Sequence, residues 1–86
     1  MAVGQAAGAV NQATNAVAIG HGAGGDSQNQ EAVAIGHESG FDTQGNSAIA
    51  IGSNAGKTLQ GTNAIAIGKN AGTTNQQANT IILNAT

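Results

Sequence analysis

The feature that most constrains this chain is a repeat of 16 residues that runs through the sequence without an insertion. A short apolar segment begins at residues 16, 32, 48 and 64, reading AVAIG, AVAIG, AIAIG and AIAIG, and a variant, TIILN, begins at residue 80. A fixed period of this kind is the signature of stacked structural units, whereas a disordered tract has no reason to keep a register. The sequence therefore predicts an ordered repeat protein.

The period extends to the whole unit and not only to its apolar segment. Residues separated by multiples of 16 form what we call a column. One column is entirely glycine, and its members include the predicted turn glycines Gly24, Gly40, Gly56 and Gly72. Another is entirely glutamine: Gln12, Gln28, Gln44, Gln60 and Gln76. Stacked amides can hydrogen-bond to one another, so the glutamine column predicts a ladder of side chains.

Within each unit the apolar segment alternates in size. Val17 and Ile19 lie on one side of an extended chain and Ala18 lies on the other, which is the period of two that indicates a strand. Residues 20–24 are rich in glycine, which predicts a turn, and a second, polar segment follows. Two strands and two turns per unit predict an all-β fold, a parallel β-solenoid whose coils stack about 4.8 Å apart.

Both faces of the apolar strand are expected to be buried. We expect the Val/Ile pairs to form the structural core: Val17, Ile19, Val33, Ile35, Ile49, Ile51, Ile65 and Ile67. The Ala face, made of Ala18, Ala34, Ala50 and Ala66, is apolar and too small for a solvated surface, so it is a candidate contact between chains. The sequence leaves open which face fills the coil and which meets a neighbour. Either choice predicts an oligomer.

The composition excludes several classes of function. The two lysines, Lys57 and Lys69, and the single aromatic residue do not provide the basic patches and stacking rings that nucleic-acid binding needs. The chain has no cysteine for a disulfide or zinc scaffold. It has no apolar run of roughly 20 residues for membrane insertion. It also shows no targeting signal.

Residues 46–55, NSAIAIGSNA, resemble the head repeat of trimeric autotransporter adhesins, whose signature is Asn-Ser-Val-Ala-Ile-Gly followed by a turn of small residues. The likeness recurs at residues 15–23, 31–39 and 63–71. It implies a left-handed parallel β-roll and a homotrimer wound about a shared axis. It also implies the head of a bacterial surface adhesin of the YadA type, binding host cells or extracellular matrix proteins through a repetitive surface.

Other segments resemble repeats of fibre-like proteins of large DNA viruses, namely residues 60–63 and 73–76. Residues 79–86 resemble the junction where such arrays leave the roll. The alternative function is therefore a virion-surface fibre or tail-fibre shaft that acts as a spacer. In both cases residues 1–79 are expected to form the array, with an incomplete first coil, and residues 80–86 a terminal strand that ends or caps it.

No residue is expected to be catalytic, and no cofactor or metal site is expected. His21 and His37 share a column and should stack on adjacent coils. We interpret them as exposed turn residues because the column continues as Ser53 and Lys69, and the alternative is a metal or anion site. Left-handed hexapeptide acyltransferases, the obvious enzyme comparison, have coils built from multiples of six residues, which a 16-residue period does not fit.

An ice-binding solenoid is the remaining alternative. Flat faces with regularly spaced threonines can order water, and Thr43, Thr58 and Thr74 are the relevant side chains. These three residues do not all share one column, which disfavours this function.

Overall fold

The computed structural model describes residues 1–10 and 12–83, and this part of the chain contains only strands, turns and bends. None of the described residues forms a helix long and apolar enough to cross a membrane. The nine strands are short: β1 Ala2–Val3, β2 Val17–Ile19, β3 Asp26–Gln28, β4 Val33–Ile35, β5 Asp42–Gln44, β6 Ile49–Ile51, β7 Thr58–Gln60, β8 Ile65–Ile67 and β9 Ile81–Leu83.

The strands assemble into two parallel sheets. One has the order β1-β2-β4-β6-β8-β9 and the other β3-β5-β7. Each strand pairs with its equivalent one repeat later, as Val17 pairs with Val33 and Val33 with Ile49. About five coils of roughly 16 residues result, with extents of 25 × 21 × 15 Å. The predicted parallel β-solenoid is confirmed.

The terminal strand continues the stack. Ile81, Ile82 and Leu83 pair in register with Ile65, Ala66 and Ile67 of β8. Ile82 also packs against the alanines of the coils before it. The rest of the predicted terminal segment, residues 84–86, lies outside the described residues.

Asparagine corners turn the chain between the two sheets. Asn54, Asn63 and Asn70 have φ values of 61°, 61° and 63°, in the left-handed region. Asparagine adopts this conformation more readily than other residues that carry a β-carbon. The Asn-rich corners of the sequence are therefore positions where the backbone adopts the left-handed conformation.

Alanine, and not valine or isoleucine, fills the coils. Ala18, Ala34, Ala50 and Ala66 have no exposed surface. The Val/Ile residues of the same strands point outward and are half-buried, or exposed in the case of Ile67. The expectation that the Val/Ile pairs form the core of the coil is therefore wrong. The expectation that the Ala face is a contact between chains is also wrong, because these alanines are buried inside one chain. In β2, β4, β6 and β8 the inner side of the apolar strand carries only a β-carbon, and Ile82 takes this position in the terminal strand β9.

Glutamine side chains fill the other half of each coil. The Nε2 of Gln28 donates to the carbonyl of Val17 at 2.6 Å, across the interior, and to Oε1 of Gln44 in the next coil at 3.1 Å. The same amide-to-amide bond, at 3.1 Å, links Gln12 to Gln28, Gln44 to Gln60 and Gln60 to Gln76. These five side chains form the glutamine ladder. Because both its donors and its acceptors are satisfied, a buried amide is tolerated there.

The turn glycines are coupled to this ladder. Gly40 has a φ of 52°, and a β-carbon placed on it would lie 2.8 Å from Cδ of Gln44. Gly24 and Gly56 stand in the same relation to Gln28 and Gln60. The glycine is therefore required both by the backbone conformation and by the amide four residues later.

Replacing Gln44 with Met tests the ladder. The change keeps the length of the side chain but removes the bonds that Gln44 donates to the carbonyl of Val33 and to Oε1 of Gln60, and the bond that it accepts from Nε2 of Gln28. We expect a loss of at least about 2 kcal/mol in the free energy of unfolding, measured by denaturant titration. Gln30→Met, at an exposed position, is the matched control and should change little. Equal stability of the two variants would contradict the role of the ladder.

Replacing Ala50 with Leu tests the interior. The larger side chain has no space against Ala55, Ala66 and Ala71, and we expect the overpacking to cost about 3 kcal/mol or more. The variant should lose its strand signal in far-ultraviolet circular dichroism at a lower temperature than the parent. Ile51→Leu, on the outward side of the same strand, should melt close to the parent. The opposite ranking would mean that the two faces are assigned the wrong way round.

Candidate interaction surface

The outward side of the six-stranded sheet is apolar along its whole length. It consists of two columns, each with one residue from every coil. We call this surface the outer apolar face, and its residues are Met1, Val17, Val33, Ile49, Ile65 and Ile81 in one column and Val3, Ile19, Ile35, Ile51, Ile67 and Leu83 in the other. Neither column contains a polar residue.

Among residues 1–10 and 12–83, the outer apolar face is covered only by its own neighbours in the ladder of strands. The central residues, such as Ile35 and Ile49, are half-buried because equivalent side chains pack above and below them. Ile67, Ile81 and Leu83 are 40%, 66% and 69% exposed. A sheet that faced water would alternate inward apolar with outward polar residues, so this apolar outward side is a candidate interaction surface.

The second sheet has the opposite character. Its outward column contains Asp26, Asp42 and Thr58, and Thr58 pairs with Thr74 one coil later. The hydroxyl of Thr43 donates to Oδ1 of Asp42 at 3.2 Å. One side of the solenoid is therefore apolar and continuous, and the other is polar and variable from coil to coil.

Large apolar side chains interrupt the polar side at three places: Val10, which pairs with Asp26 and is 48% exposed, Phe41 and Leu59. The ring of Phe41 occupies the place of a side chain at Gly25, where a β-carbon would lie 2.8 Å from the ring. Leu59 is 49% exposed and has a φ of 53°, an unfavourable conformation for leucine. The positions of these last two residues follow from the repeat, because Phe41 comes 16 residues after Gly25 and Leu59 lies within β7.

Charged and imidazole side chains gather at the corner that follows the apolar strands. The imidazole rings of His21 and His37 stack with centroids 5.2 Å apart and an interplanar angle of 12°. Nζ of Lys57 lies 3.0 Å from Oε1 of Glu38. The hydrogen bond from Lys57 is the main cause that lowers the pKa of Glu38 below 4.5, and the charges of Lys57 and the two histidines add to it.

The described residues offer few of the features that enzymes use. No pocket is found among residues 1–10 and 12–83. The same residues contain no group of three or more His, Cys, Asp or Glu side chains placed to hold a metal ion. The predicted site residues instead divide into an interior of alanine, glycine and glutamine and the outer apolar face.

Comparisons with protein-family models, curated proteins and solved structures found no match for this chain.

The Glu38–Lys57 pair predicts a small pH dependence of stability. Because the pKa of Glu38 is lowered in the folded chain, the pair stabilises the fold above pH 4.5, and the contribution is lost as the pH falls through the lowered value. We expect Lys57→Gln to melt slightly below the parent at pH 7, and the difference to shrink as the pH falls below 4.5. A difference that does not shrink at any acidic pH at which both proteins remain folded would exclude this ion pair as its source.

Proposed function

We propose that this chain is a head or shaft segment of a trimeric surface attachment protein, folded as a left-handed β-roll with no enzymatic activity. The observation that carries the proposal is the outer apolar face, which nothing within the described chain covers. In the proposed trimer the three outer apolar faces meet at a shared axis, and the polar sheets face outward.

The shape of the outer apolar face supports three chains over two. It is two side chains wide, about 7 Å, and about 24 Å long for five coils, so it forms a ridge of roughly 170 Å². A flat dimer contact of that size is far below the roughly 800 Å² per partner of stable interfaces. Three ridges converging on an axis also bring the flanks of each coil together, so that each chain contacts two others.

The likeness of NSAIAIGSNA at residues 46–55 to adhesin head repeats supports the trimer, the left-handed coil and the attachment function. The outward polar side supplies the variation that recognition needs. Phe41, Lys57 and Leu59 are among the residues that interrupt its surface of small polar residues. We propose that this side binds a host-cell receptor or an extracellular matrix protein, with the chain held at a cell or virion surface.

A spacer in a virion fibre remains the second candidate. The absence of a pocket among the described residues suits a shaft as well as an adhesive head. An ice-binding surface has less support, because Asp26 and Asp42 stand in the column of Thr58 and Thr74 and interrupt the row of threonines.

The mass in solution tests the assembly. Light scattering of the parent is expected to give three times 8.2 kDa. Ile51→Lys places a charge at the contact in every chain and should raise the dissociation constant at least about a hundredfold. Thr74→Lys, an exposed change on the polar side, is the control and should remain trimeric. A monodisperse monomer for the parent, or a stable trimer for Ile51→Lys, would falsify the proposed assembly.

Binding to immobilised collagen and to cultured cells separates head from shaft. An adhesive head should bind, and Leu59→Asp should weaken binding, while Gln30→Asp on an exposed corner should not. Aspartate tolerates the left-handed conformation at residue 59 better than leucine, so the variant should fold. A trimer that binds neither probe would support the spacer instead.

A further inference from the structure

The stacked pair of His21 and His37 is a group of chemically active side chains that the attachment function does not use. They are the two histidines of the chain, and both are exposed. Among the described residues, neither imidazole takes part in a side-chain hydrogen bond, so their ring nitrogens are available. We propose that His21 and His37 form a two-imidazole site for a divalent transition metal, bridging adjacent coils.

The backbone holds the two rings in register. The amide of Glu38 donates to the carbonyl of His21 at 2.8 Å, and the amide of Asn54 donates to that of His37 at 2.9 Å. These bonds fix the corner of each coil on the corner of the next one. Equivalent side chains therefore leave the backbone side by side and in the same direction.

The two rings lie close enough for chelation once their side chains rotate. The ring centroids are 5.2 Å apart and the rings are nearly parallel. A metal held by two imidazole nitrogens at about 2.1 Å each requires those nitrogens to lie within about 4.2 Å of each other. Because each nitrogen ligates in the plane of its ring, the stacked rings must turn about their side-chain bonds to point at one metal, and both side chains are exposed and outside the packed interior.

The ligand atoms available at this site determine which metal ions it is expected to bind. Imidazole ligands favour Cu²⁺, Ni²⁺ and Zn²⁺ over Ca²⁺ and Mg²⁺, which prefer oxygen. The nearest carboxylate, Glu38, is held by Lys57 at 3.0 Å and is not counted as a ligand. Water completes the coordination, and Cu²⁺ is expected to bind most tightly of the three.

A bound metal would also join two coils. It binds the stacked corners of the folded chain and not the unfolded one, so it stabilises the fold in proportion to its concentration. This site is independent of the outer apolar face and does not rest on the proposed function.

The experiment is titration of the full chain with Cu²⁺ and Zn²⁺ by calorimetry, with the electron paramagnetic resonance spectrum of the Cu²⁺ form as a structural readout. The expected result is one metal per chain, with hyperfine coupling to two imidazole nitrogens. The melting temperature should rise by several degrees in the presence of Zn²⁺. Coupling to a single imidazole would overturn the proposal.

His21→Ser and His37→Ser are the matched variants, because the same column carries serine at Ser53 and both variants should fold. Each is expected to weaken Cu²⁺ binding about tenfold or more and to remove the rise in melting temperature. Added to His21→Ser, the change Ser53→His should restore binding, because residues 37 and 53 lie on adjacent coils. Unchanged affinity in the two serine variants, or no recovery in the double variant, would contradict a site that bridges coils.

Discussion

The glutamine ladder is the interaction on which the rest of the structure depends. Each amide spans the coil to reach a backbone carbonyl of the apolar strand and also bonds to the amide of the next coil, as Gln44 does with Val33 and Gln60. One side chain thus sets the width of the coil and its stacking. The inner side of the apolar strand is then alanine in β2, β4, β6 and β8, and the turn before each glutamine is limited to glycine.

This constraint sends the large side chains outward. An ordinary domain places valine and isoleucine in its core, but a coil filled by a glutamine amide and alanine methyl groups has no space for them. Ile35 and Ile49 therefore cover the outside of a sheet, where strand neighbours protect only part of their surface. The narrow interior therefore explains both why the buried side chains are small and why valine and isoleucine lie on the outside of the sheet.

Much of this architecture can be predicted from the repeat. The 16-residue period predicts two parallel sheets, the register of their strands and the stacking of His21 on His37, and the structure contains all three. Alternation in the apolar strand cannot say which side faces inward, because Ala50 and Ile51 are both apolar. The spacing of four residues between Gly40 and Gln44 did contain the missing information, since a glycine in every unit before a buried amide indicates a crowded interior. Phe41 follows Gly25 by 16 residues, so the column that they share was enough to place its ring over that glycine.

The glutamine ladder also has a direction. Every Nε2 from Gln12 to Gln60 donates toward the following coil, so the amide dipoles are aligned along the stack and polarise one another. An added unit fits only in the same orientation and with all 16 of its residues, since any other length would break the chain of amides. Recombination between such repeats can therefore change the length of the solenoid in steps of about 4.8 Å. Each new coil would keep the same internal contacts.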